Sequence, residues 1–236
     1  MTVSTAPAAA ASPRLSYEPG IDGLRALAVL AVVIFHAGAG WLAGGFLGVS
    51  VFFTISGYLI TSLLVAEFAA DGRISLGAFW GRRLRRLAPA SLVCIGAVLL
   101  AAPLFTSGTQ QARLPRDAAA ALGYVANWRF IVSGQSYADL FGKPSPLLHF
   151  WSLAIEEQFY IVYPLLMAGL LARTTIRRHV TVVLGMLAAA SFVAMMLTND
   201  LDLAYYGTHT RALELLAGAL LAVISRGRAP LAPRAA

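Results

Sequence analysis

The side chains best placed to do chemistry sit inside or beside long apolar runs. In IDGLRALAVLAVVIFH, Arg25 and His36 stand eleven residues apart. At about 100° per residue this is three turns plus roughly 20°, so a helix projects both from one face, roughly 16 Å apart along its axis. Taken singly, Arg25 could be a snorkelling anchor and His36 an interhelical hydrogen bond. Two ionisable groups on one intramembrane stripe also mark a functional path. In PLLHFWSLAIEEQFYIVYP, Glu156 and Glu157 follow His149 and lead into Gln158 and Tyr160. Adjacent helical side chains point about 100° apart, so one carboxylate can face a cavity while the other takes a different partner. A carboxylate in apolar surroundings must be paired, hydrated or protonated, which suits acid–base or histidine-orienting work. The alternative is an inert acidic pair favoured by the helix dipole.

Two further clusters carry charge. FWGRRLRRLAP, read as a loop ahead of an apolar run, brings Arg82, Arg83, Arg85 and Arg86 together. They serve either as a topological anchor or as a clamp on phosphate oxygens, which guanidinium groups match with a fork of donors. In THTRALELLAGALLA, Arg211 and Glu214 are three apart and form an ion pair on a helix. The single cysteine, Cys94, excludes an intrachain disulfide and a cysteine-cluster metal site. It reads as a buried structural thiol, and no metal is expected.

The elements that position these groups follow from composition. The 236 residues are 58% hydrophobic and only 12% charged, with a mean hydropathy of +0.73. A soluble chain carries about twice that share of charge. Apolar runs at about 24–42, 46–66, 87–105, 152–171, 180–198 and 209–224 approach the length needed to cross a hydrocarbon core about 30 Å thick. The expected fold is therefore all-α, a polytopic transmembrane helical bundle of six full spans. A weaker run, 118–133, holds Asn127, Trp128 and Arg129 and reads as a re-entrant or interfacial segment, because mid-bilayer Arg costs a few kcal/mol; seven spans result if it crosses. Gly45, Gly48 and Gly57 suit close helix packing. The net charge of +7 lies in blocks between the runs, where it orients spans rather than binding nucleic acid. Basic residues at 73–86, at 173–178 and in the tail (Arg226, Arg228, Arg234) place those stretches, and both termini, on the cytoplasmic side. Residues 1–16, rich in Ala, Ser and Pro, read as a disordered tail rather than a cleaved signal peptide. Residues 17–225 read as the membrane domain and 226–236 as a polar tail.

In order and spacing these strings resemble the acyltransferase-3 family of membrane acyltransferases, the O-antigen and exopolysaccharide acetylase type. The resemblance runs from Asp22 to Gly218. It rests on Arg25 and His36, on GGFLGVSVFF and SGYLIT, on Arg83 and Arg86, on HFWSLAIEEQFY and on THTRALELLAGALLA. It implies transfer of an acyl group, usually acetyl from acetyl-CoA or another acyl-CoA, across the bilayer of a bacterial inner membrane. The acceptor it implies is a hydroxyl of an extracytoplasmic glycan or lipid-linked sugar. Carried onto this chain, His36 becomes a general base or transient acyl carrier, Glu156 supports the site, and Arg25, Arg83 and Arg86 bind the donor. Two departures stand out. The family commonly has Asp where Ser50 stands, which removes a charge partner. Its members also usually have about ten spans, so the chain is expected to be shortened at its C-terminus. A non-catalytic transporter or proton relay and an inactive fragment are the rival readings.

Overall fold

A computed structural model of the chain describes residues 18–38, 40–106, 108–135, 144–174 and 177–225. The tails expected at 1–16 and 226–236, with Arg226, Arg228 and Arg234, lie outside the described residues. All described elements are helical: α1 (Pro19–His36), a 3-10 segment (Gly40–Leu47), α2 (Gly48–Asp71), α3 (Leu76–Phe105), α4 (Gly108–Leu122), α5 (Ala126–Val132), α6 (Phe150–Arg173), α7 (Arg177–Leu197), α8 (Leu201–Tyr206) and α9 (Thr208–Ser225). Apolar runs adopt this form in lipid because a helix satisfies its own backbone polar groups. Five elements are long and apolar enough to cross a membrane: α1, Gly40–Asp71, α3, α6 and α7. The sixth expected run is α9. Arg211 and Glu214 lower its hydropathy, and it packs most extensively against α2 and α7.

Three boundaries differ from the sequence expectation, each for a physical reason. The first apolar run stops at His36 rather than continuing to 42. Gly38 adopts φ +77°, and the following 3-10 segment folds back along α1. Side chains at Gly45 and Gly48 would collide with the Ala31 and Ala28 carbonyls, so only glycine permits this approach. Second, the arginine block is no loop. α3 starts at Leu76 and runs for 30 residues, about 45 Å, so Arg82–Arg86 occupy its early turns. Third, the weak run at 118–133 is broken. Tyr124 takes φ +53° between α4 and α5, and the seven residues of α5 extend only about 10 Å. Arg129 in that segment donates to Asp117 at 3.1 Å, and Asp117 is 1% exposed. Protein, not lipid, thus receives this guanidinium.

Cys94 is exposed rather than buried. The inward face of α3 is the stripe through Ser91, Ile95 and Ala102, and Cys94 lies off it. The glycine expectation holds: a Cβ on Gly57 would meet the Leu215 carbonyl and one on Gly218 the Thr54 carbonyl. These two glycines let α2 and α9 cross in backbone contact.

Helix directions follow from the contacts. Arg25 near the start of α1 lies over Phe52 of α2 at 5.2 Å, while Gly45 meets Phe35 near the end of α1. The two elements are therefore antiparallel. His149, just ahead of α6, lies against His36, and Glu157 further along meets Arg83. The start of α1, the end of α2, the start of α3 and the end of α6 thus share one end of the bundle. The connection 72–75 and Arg173, at the end of α6, lie at that same end.

Candidate active site

Between α1, α2, α3 and α6 lies a cavity of about 580 Å³. Its basic end is lined by Arg25 of α1 and by Arg82, Arg83 and Arg86 of α3. Helical spacing explains the selection: residues 82, 83 and 86 share one face of α3 at i, i+1 and i+4. Arg85, absent from the lining, points elsewhere. Ser56, Tyr160 and Glu156 line the middle, and the walls continue along α1 to Val33 and along α6 to Ser152. One turn beyond Val33 is His36, and one turn before Ser152 is His149.

Glu156 is buried in this wall at 8% exposure. Its Oε1 accepts a hydrogen bond from the Tyr160 hydroxyl at 2.5 Å and another from the Ser56 hydroxyl. Hydrogen bonds to a buried carboxylate replace the water it has lost and fix its direction. Glu157 turns away, as the 100° offset requires, and accepts from Arg83 Nη2 at 3.2 Å. The Arg83 guanidinium also lies 3.3 Å above the Tyr160 ring centre, a cation–π contact. Ser56, Glu156, Tyr160, Arg83 and Glu157 therefore form one continuous polar unit across α2, α6 and α3. Ser56 was not singled out by sequence; its only signal is a small hydroxyl in an apolar run.

The other basic-end arginines differ in commitment. Arg82 lies 3.6 Å from Glu67, and Arg25 lies 4.0 Å from Asp22. Arg86 also lines the cavity, and among the described residues no acidic side chain is within ion-pair distance of it.

At the opposite end, His36 Nδ1 is 2.8 Å from the Val32 carbonyl. A carbonyl oxygen only accepts, so Nδ1 carries the proton and Nε2 presents the lone pair. The His149 ring meets His36 edge to face, 4.7 Å between ring centres and 86° between planes. One side of His149 stays open to solvent. The removal of the rest from water, and next the His36 imidazole, hold its pKa below the ordinary histidine value.

Of the five residues expected at the site, Arg25, Arg83, Arg86 and Glu156 line this one cavity, and His36 stands one turn past its wall. The expected Arg211–Glu214 pair is present at 3.1 Å. Arg211 Nη2 also donates to Ser50 Oγ at 3.2 Å, so the counter-charge absent at Ser50 comes from Glu214 on α9. No group of three or more metal-ligating side chains occurs among the described residues.

The family described as an acyltransferase domain matches residues 18–234. The chain is 46% identical over 220 residues to the O-acetyltransferase OatA of Staphylococcus aureus (strain NCTC 8325 / PS 47), an alignment covering 90% of this chain and 35% of that protein. It is 43% identical over 212 residues to the peptidoglycan O-acetyltransferase OatA of Listeria monocytogenes serovar 1/2a, covering 88% of this chain and 34% of that protein. The chain thus spans about a third of the length of these curated relatives. No solved structure matches it. With the cavity, both imidazoles and all five expected site residues inside the matched segment, the chain belongs to the acyltransferase-3 family of membrane acyltransferases.

Proposed function

We propose that the chain moves an acyl group, acetyl in the first instance, from acyl-CoA at the basic end of the cavity to a glycan hydroxyl at the histidine end. The observation carrying this reading is the cavity itself, with arginines at one end and imidazoles just beyond the other. Arg25, Arg83 and Arg86 supply donors to the phosphates of CoA, which guanidinium groups bind through paired hydrogen bonds. The basic end then faces the cytoplasm, where basic segments are retained.

Length supports the assignment. Pantetheine places about twelve bonds between phosphate oxygen and sulfur, equivalent to roughly four extended residues or ~14 Å. The eleven residues from Arg25 to His36 rise roughly 16 Å. A CoA held by the arginines therefore delivers its thioester close to His36 Nε2. That nitrogen takes a hydroxyl proton or attacks the thioester carbonyl. Glu156, fixed by Ser56 and Tyr160, keeps negative charge beside the path and orients what passes.

The Listeria relative is named for peptidoglycan rather than for O-antigen, so the acceptor proposed is a peptidoglycan-type glycan. Membranes carrying the chain, supplied with radiolabelled acetyl-CoA, are expected to label such a glycan. His36→Ala should reduce labelling by about 10²-fold or more, the loss typical of a general base or nucleophile, with the protein still inserted. Undiminished labelling would sink the role of His36.

A further inference from the structure

The two imidazoles one turn beyond the cavity walls stand closer together than one catalytic histidine requires. His36 and His149 come from different helices, α1 and the start of α6, and their ring centres are 4.7 Å apart. Ser152 Oγ donates to the His149 carbonyl at 3.2 Å, and Trp151, 2% exposed, is wedged against Phe53 and Tyr206. The backbone that carries His149 is therefore held in place. Its own ring nitrogens have no hydrogen-bond partner among the described residues. Meanwhile the Nδ1 proton of His36 is committed to the Val32 carbonyl.

That commitment has a chemical consequence. If Nε2 of His36 holds the acyl group, the His36 ring has no lone pair left to accept a proton from the incoming hydroxyl. A second base must stand within reach of the acyl carbon. We propose that His149 is this base, taking the acceptor proton while His36 carries the acyl group; the proposal rests on the acyltransferase reading above and divides its chemistry between two residues.

The steps balance. His36 Nε2 bonds to the acyl carbon as the carbon–sulfur bond breaks and its electron pair leaves on the CoA thiolate. The acyl-imidazolium keeps its Nδ1 proton on the Val32 carbonyl. The acceptor oxygen then bonds to the acyl carbon, the carbon–Nε2 bond returns its pair to His36, and the hydroxyl proton passes to His149. Transfer of that proton through water to the thiolate yields free CoA and two neutral imidazoles. A base must be neutral beforehand, and the lowered pKa of His149 keeps it so at physiological pH.

The test uses the full chain in detergent with radiolabelled acetyl-CoA and chitotetraose as the hydroxyl probe. His149→Gln should lower chitotetraose labelling at least 100-fold while hydroxylamine-labile acetyl accumulates on the protein. The His36→Ala/His149→Gln double variant should lose that protein-bound label. Added imidazole should restore part of the transfer in His149→Ala, which a purely structural role does not permit. Unchanged chitotetraose labelling in His149→Gln overturns the proposal. So does a loss of transfer with neither protein-bound acetyl nor imidazole rescue, which assigns His149 to the fold alone. A wild-type chain that transfers nothing overturns the acyltransferase reading itself, and the base assignment with it.

Discussion

Glu156 illustrates how much of the site depends on single hydroxyl groups. Its carboxylate lies in an apolar wall and keeps a fixed direction because Ser56 and Tyr160 both donate to Oε1. A hydrogen bond to a charged group contributes about 1.5–3 kcal/mol. Ser56→Ala and Tyr160→Phe should therefore each lower acetyl transfer roughly tenfold or more with the chain still inserted, measured as initial rate at saturating acetyl-CoA. Rates equal to wild type in both would remove Glu156 from the working site. Arg86 poses a different question, since no acidic partner neutralises it among the described residues. A group that binds donor phosphate equally in ground and transition states affects KM and leaves kcat alone. Arg86→Ala should raise the KM for acetyl-CoA about tenfold, the effect of losing one charge-assisted hydrogen bond, at near-constant kcat. A fall in kcat with unchanged KM would instead place Arg86 at the chemistry.

Elements hold these residues in register through close backbone contact rather than through bulky side chains. α2 carries Ser56, and its crossing with α9 relies on Gly57 and Gly218, where any Cβ meets an opposing carbonyl. Gly218→Ala should lower the thermal unfolding midpoint in detergent, at a cost of about 1–3 kcal/mol for overpacking. Gly169→Ala on α6, with nothing within 4 Å of its Cβ position, should leave the midpoint unchanged or raise it. Equal effects at both positions would contradict the tight crossing. Much of this level is legible in the sequence, because periodicity needs only local information. The stripe shared by Arg25 and His36, the divergence of Glu156 and Glu157, and the Arg211–Glu214 pair all follow from 3.6 residues per turn. The arginine block of α3 resembles a loop because charge density mimics a connection, whereas Arg82, Arg83 and Arg86 line a cavity. The break at Tyr124 was hidden because a left-handed non-glycine leaves no compositional mark.

At the scale of the whole molecule, what sequence conceals is which helix faces which. Ser56 meets Glu156 across 100 residues of chain, and His36 meets His149 across the bundle; neither contact has a local signature. The family resemblance implies the roles proposed for His36, Glu156 and the arginines, while packing shows that four of the five line one cavity and that a second imidazole stands against His36, one turn past its walls. The arrangement has two distinct ends, basic and imidazole-bearing, joined by a path about one membrane leaflet long. The central consequence of the proposed function is sidedness: it requires donor to enter at one face and acceptor to be modified at the other. The most direct measurement reconstitutes the chain in sealed vesicles with chitotetraose trapped inside and radiolabelled acetyl-CoA added outside, neither of which crosses lipid. The account predicts acetylated chitotetraose in the lumen, abolished by His36→Ala. Product formed only when both compounds are on the same side would contradict it.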